Sequence, residues 1–161
     1  MVKDSNTGKS VILNESRYSI LNLSGHHFGI EINKVIEVIP FPHYTKIPNL
    51  NSAILGVFNL RGQIYSIIDI RVLFNLGLKE ISDKNYIVIL RAENISFGIY
   101  VEKVIDVLNI DESKIQVPNR SSSESFIHFV NGLYEDKKIG VIHLLEIREI
   151  INSKEISKYR F

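Results

Sequence analysis

The chain has no cysteine and no tryptophan in its 161 residues, and only four prolines. Without cysteine there can be no disulfide, no thiol nucleophile and no thiolate-held zinc or iron–sulfur centre. Charge of one sign is equally scarce. Nineteen Lys and Arg face eighteen Asp and Glu, for a net charge of +1, so the basic field expected of a nucleic-acid binder is missing. No apolar run reaches the length that a membrane-spanning helix needs. The opening MVKDSNTGKSVILNES is polar and lacks the apolar stretch of a secretory signal, so residues 1–16 read as a tail. These absences predict a soluble, cytoplasmic protein with no nucleic-acid partner and no direct insertion into a membrane.

Chemistry is sparse too. None of the motifs G-x-G-x-x-G, G-x-x-x-x-G-K-[ST] or G-x-S-x-G occurs. Gly8-Lys9-Ser10 resembles the tail of a phosphate loop, but its first glycine and its preceding strand are missing. The five histidines are His26, His27, His43, His128 and His143. Adjacent His26 and His27 in a strand point to opposite faces and cannot share a metal. No pair has the i+4 spacing of a helix or the H-x-H spacing of a strand, so exposed or capped imidazoles are expected. Carboxylates are plentiful, and Asp69 reads as a helix N-cap. The expectation is no catalytic residue, no metal and no cofactor.

What is present is 45% hydrophobic residues and 23% charged ones, the make-up of one ordinary globular domain or two subdomains sharing a core. Strand signals dominate. Residues 18–24 and 26–32 alternate around Ser24-Gly25 as a hairpin would, and 34–39 runs into Pro40-Phe41-Pro42. Segments 54–59 and 63–70 meet at Leu60-Arg61-Gly62, where Gly62 supplies the positive φ of a tight turn. Asp69 then opens a short helix that Gly77 would close. Strands resume at 86–91, 95–101 and 103–110, and 118–125 is loop-like. A last hairpin joins 127–134 to 138–143, and Leu144, Ile147 and Ile151 recur at helical spacing.

An internal repeat organises these segments. FGIEINKVIEVI (28–39) and FGIYVEKVIDVL (97–108) align without gaps, with seven of twelve positions identical. Downstream, the hairpin GVFNLRGQIYSII (56–68) faces a similar one, GLYEDKKIGVI (132–142), after one residue of slippage in the turn. Mainly β structure is expected, as two small related barrels that complete each other's core, with halves 17–78 and 82–148 and strands that can be exchanged between them. Gly29, Gly98, Gly56 and Gly62 then hold structural positions. Glu37 and Asp106 fall at equivalent places, as structural residues more often do than catalytic pairs. The runs Val35-Ile36, Val38-Ile39, Val104-Ile105 and Val107-Leu108 are either strands buried on both faces or the apolar floor of a groove between the barrels. Arg61 has no carboxylate near it in sequence. It either pins its loop through backbone carbonyls or stands at the rim of that groove.

The motifs F-G-I-x-I-x-K-V-x-E-V at 28–38, K-I-P at 46–48, G-V-x-N-L-R-G at 56–62 and I-I-D-I-R at 67–71 resemble the CheW family of chemotaxis coupling proteins. The same pattern occurs in the regulatory domain of the CheA kinase and the N-terminal domain of CheV. The resemblance covers about 17–152 as one CheW-like domain and leaves 153–161 as a helical extension. It implies two five-stranded SH3-like β-barrels and a non-enzymatic adaptor that joins a chemoreceptor's cytoplasmic signalling tip to the CheA histidine kinase regulatory domain, recruited to receptor arrays at the membrane. By motif, Val35, Glu37, Val38 and Arg61 would belong to or support the receptor groove, with Val104 and Val107 added through the repeat. Ser66 stands where the family usually has proline, which implies a less bent strand. The competing reading is a β-barrel domain that binds a small molecule in the inter-barrel groove.

Overall fold

The computed structural model describes residues 14–159. Its strands are β1 (Glu15–Leu23), β2 (His26–Glu31), β3 (Val35–Pro40), β4 (Ile54–Leu60), β5 (Gln63–Ile68), β6 (Tyr86–Ala92), β7 (Ile95–Val101), β8 (Lys103–Asp111), β9 (Val130–Asp136) and β10 (Gly140–Leu145). Three short helices accompany them: α1 (Ile70–Leu73), α2 (Ile147–Asn152) and α3 (Lys154–Ser157). β1 takes in Glu15 and Ser16 from the segment read as a tail, and Gly8-Lys9-Ser10 lies outside the described residues.

The fold is mainly β, in two five-stranded sheets ordered β8-β1-β2-β10-β9 and β3-β6-β7-β5-β4. We call these the first and second sheets. Neither is built from one half of the chain. The hairpin β1–β2 joins three strands of the second half, and the hairpin β6–β7 joins three strands of the first.

The repeat maps onto this exchange position by position. Gly29 lies opposite Ile20 of antiparallel β1 and Leu144 of parallel β10. Gly98 lies opposite Ile89 of antiparallel β6 and Ile67 of parallel β5. A methyl group on Gly29 would come within 2.7 Å of Leu144 Cδ2, and one on Gly98 within 2.6 Å of Ile87 Cγ2. Both glycines are therefore places where a neighbouring side chain crosses the strand. Gly56 is tighter still, because its Cβ would sit 2.2 Å from the Thr45 carbonyl oxygen.

Hairpin turns follow local chemistry. Ser24 and Gly25 have φ of 50° and 79°, and Arg61 and Gly62 have 51° and 82°. Two consecutive positive φ values make the type I′ loop whose twist matches paired strands. The end of α1 differs from expectation. Asn75, with φ 52°, takes the left-handed position in place of Gly77, and Leu76 N–H donates to the Arg71 carbonyl at 2.9 Å. Asparagine tolerates that conformation, so the helix closes before the glycine is reached.

The C-terminal helix also starts later than its apolar spacing suggests. Leu144 and Leu145 are both buried, at 1% and 4% exposure, in β10, and α2 begins at Ile147 with Glu146 capping the Arg148 N–H. A strand buried on both faces gives the same apolar run as the start of a helix. Ile147, Ile150, Ile151 and Ile156 then carry α2 and α3 onto the main core, where Phe28, Phe58, Phe74, Phe97 and Phe126 also pack. A smaller cluster of Tyr18, Ile20, Ile110, Ile142 and Leu144 belongs to the first sheet.

Candidate functional site

The apolar runs at 35–39 and 104–108 are not interior strands. β3 and β8 each lie at the edge of a sheet, and the expectation of burial on both faces fails there. Each run is interrupted by an irregularity at the same repeat position. Pairing skips from Val35–Leu90 to Glu37–Ile89 in β3, and from Val104–Leu21 to Asp106–Ile20 in β8. The extra residues are Ile36 and Ile105. A bulge breaks strict alternation, which is why the sequence looks continuously apolar although one face is wet. Val35 and Val104 are half-buried against the main core, while Ile36, Val38, Ile105 and Val107 are exposed at 45%, 41%, 38% and 39%.

Arg61 does have a carboxylate, 24 residues back in the chain. Its Nη1 donates to Glu37 Oε1 at 2.7 Å and its Nη2 to Oε2 at 3.1 Å. This fork-to-fork geometry holds both planes fixed. The loop itself is pinned by Asn59, whose Oδ1 accepts the Gly62 N–H at 3.0 Å, so Arg61 is not needed for that purpose. The pair spans the second sheet from the turn after its β4 edge to its β3 edge. The sheet must therefore curl until its two edges are one ion pair apart. The arginine side chain remains 73% exposed and that of Glu37 27%. Hydrogen bonding to Arg61 holds the Glu37 carboxyl below the usual glutamate value, and the same bond raises the arginine. The pair uses two of the five guanidinium N–H groups.

The six residues singled out by motif thus fall into two sets. Val35, Glu37, Val38 and Arg61 meet on the second sheet, and Val104 and Val107 occupy the matching edge of the first. The matching carboxylate, Asp106, accepts from its own neighbour, the Val107 N–H, at 2.7 Å.

Among the described residues the buried arginine is Arg71, which sequence reasoning missed. Its Nε and Nη2 donate to the two oxygens of Asp69 at 2.9 and 2.8 Å, and Nη1 donates to the Lys79 carbonyl at 2.9 Å. The guanidinium carbon lies 4.6 Å from the centre of the Tyr100 ring. Asp69 also accepts the Arg71 N–H as the cap of α1. Bonding to Asp69 raises the arginine pKa despite burial. The signal was in the repeat: I-I-D-I-R at 67–71 recurs as L-L-E-I-R at 144–148. The second copy keeps the cap through Glu146.

Among the described residues no group of three or more His, Asp or Glu side chains is placed to hold a metal ion. His143 is not exposed. It is buried, with Nε2 3.2 Å from Glu124 and its ring 4.9 Å from that of Phe126.

The model of the CheW-like domain matches residues 17–156. The chain belongs to the CheW-like domain family. Similar proteins include the chemotaxis protein CheW of Helicobacter pylori, 26% identical over 78% of this chain and 76% of that protein. The CheW of Klebsiella aerogenes is 29% identical over 87% of this chain and 84% of its own. Among solved structures, the scaffolding protein TtCheW of Thermoanaerobacter tengcongensis superposes with a TM-score of 0.79 at 26% identity, covering 88% of this chain and 90% of that one. These relatives are named for chemotaxis and scaffolding. In this CheW-like chain no described helix is long and apolar enough to cross a membrane.

Proposed function

We propose that the chain is a non-enzymatic adaptor that couples the cytoplasmic signalling tip of a chemoreceptor to the regulatory domain of a CheA histidine kinase. It acts in the cytoplasm, at receptor arrays on the membrane. The observation that carries this reading is the β3 edge. Exposed Ile36 and Val38 flank Glu37, whose partner Arg61 keeps a side chain 73% exposed and able to meet acceptors on a partner. Amphipathic helices are recognised through an apolar stripe laid on such a surface, and a polar rim residue such as arginine adds to the binding energy out of proportion to its area. The matching edge at Ile105 and Val107 offers a second strip of the same character.

Co-sedimentation with a receptor signalling fragment, and separately with a kinase regulatory domain, tests the proposal. Retention by both is expected, and retention by neither would sink it. Calorimetric titration with ATP and magnesium should be flat, and a saturable heat would contradict the non-enzymatic part.

A further inference from the structure

One cavity lies away from the edge strands β3 and β8. It holds about 240 Å³ on the second sheet, between β4, β5 and β7 and the helices α2 and α3. None of the six residues singled out for the groove lines it. Its cause is visible by comparison with the first sheet.

There, Phe28 is surrounded by four rings: Phe126 at 5.2 Å, Phe74 at 5.4 Å, His143 at 5.8 Å and His26 at 6.2 Å. The repeat-related residue on the second sheet is Phe97, next to Gly98 as Phe28 is next to Gly29. The places of the four rings can be read from register. Ser66 and His143 each precede the residue opposite the glycine. Ile95 and His26 each open the strand two residues before the phenylalanine. Ile151 and Phe74 follow the caps Glu146 and Asp69 at equal distance. Leu50 and Phe126 lie three residues before Ala53 and Phe129, whose carbonyls accept the Asp69 and Glu146 N–H groups respectively. So Phe126, Phe74, His143 and His26 are replaced by Leu50, Ile151, Ser66 and Ile95. All four replacements line the cavity. The space lies where four rings pack in the other sheet.

We propose that this cavity is a binding site for a small, neutral, monocyclic aromatic molecule of about phenyl size. The ring would seat edge-on against Phe97, as Phe126 does on Phe28 at an interplanar angle of 81°. Neutrality follows from the lining, because no described residue there carries a formal charge and a buried unpaired ion is costly. Size follows from the matched ring, since single phenyl rings occupy the corresponding places beside Phe28. Ser66, Ser96 and Tyr159 are among the lining residues, and their hydroxyl groups favour a ligand with one hydroxyl over a bare hydrocarbon. The site is separate from the proposed adaptor edges and does not rest on that reading.

The test is a titration of the full chain, labelled at isoleucine methyl groups, with benzyl alcohol. Saturable shifts are expected at Ile54, Ile68 and Ile151, with an apparent Kd on the order of 1 mM, and none at the edge residues Ile36 and Ile105. Leu50→Phe restores the first sheet's occupant and should weaken binding at least tenfold. Ser66→His serves as a second filling variant should the first fail to fold. Non-saturating shifts, equal shifts at Ile36, or undiminished binding by a folded filling variant would each overturn the proposal. Tighter binding of a phenylalanine-bearing peptide than of benzyl alcohol would also overturn it, in favour of a partner's side chain.

Discussion

Asp69→Ala removes the only carboxylate among the described residues that the Arg71 guanidinium touches, and the structure allows the consequence to be worked out. Arg71 is 1% exposed, and arginine does not deprotonate inside proteins. With the aspartate gone the cation keeps only the Lys79 carbonyl at 2.9 Å and the face of Tyr100 at 4.6 Å. Breaking a buried pair from one side costs about 3–5 kcal/mol. The lost cap on α1 is worth about 1 kcal/mol, and the two terms overlap because they share one carboxylate. For a chain of this size each kcal/mol moves the thermal midpoint by about 2–4 °C, so the fall should be roughly 6–20 °C. Asp69→Asn, which keeps one oxygen for the cap, should fall less. The double replacement Asp69→Leu with Arg71→Met removes both charges and should recover most of the loss, since well-packed apolar pairs replace buried ion pairs at little cost. Melts followed by circular dichroism read all three. A fall under about 2 °C for Asp69→Ala, or a double variant worse than the single, would refute the claim that the pair is balanced and indispensable from either side.

Three further predictions concern the edges and the glycines. Val38→Glu and Val107→Glu, at exposed positions, should abolish capture by a receptor fragment with the melting curve nearly unchanged. Val35→Glu, half-buried against the core, should lower the midpoint as well, because the carboxylate is desolvated without a partner. Glu37 has a lowered carboxyl pKa in the folded state. Its contribution is therefore present above the ordinary glutamate value and is lost as pH falls through the lowered one. A carboxyl NMR titration should show this, and Arg61→Ala should bring the value back up. Gly29→Ala and Gly98→Ala meet the ends of side chains and should cost about 1–3 kcal/mol. Gly56→Ala meets the Thr45 backbone and should cost more than either, as chemical denaturation would measure.

The repeat was the most legible property of the sequence, and it located Gly29 and Gly98 at matching points of two sheets. The family motifs gave the architecture. What stayed hidden were relationships that span the sheet. Glu37 and Arg61 lie 24 residues apart, on opposite edges of one sheet, and no local pattern joins them. Arg71 was overlooked for the reverse reason. Its partner is so near in sequence that Asp69 was credited with the cap alone. The runs at Val35 and Val104 misled because a bulged edge strand imitates a buried one. The cavity beside Phe97 could not be seen at all before the register of both sheets was known, because it arises from four replacements scattered between Leu50 and Ile151.

The exchange of hairpins between the halves has a consequence in time. The hairpin β1–β2 is made before the other described strands, yet its parallel partner β10 is the last of them. At cellular rates of synthesis that wait is on the order of 10 s. The second sheet, whose strands lie between β3 and β7, can be complete while the first still lacks three members. During that interval the apolar face of β1–β2 has only part of its native cover: Phe74 is available to Phe28, but Phe126 and His143 are not yet made. It is then a substrate for a holding chaperone, or for the same unfinished hairpin on a neighbouring nascent chain. Two chains that traded hairpins at that stage would each satisfy every strand pairing described for one, so slow or crowded synthesis should yield intertwined dimers that only unfolding can separate.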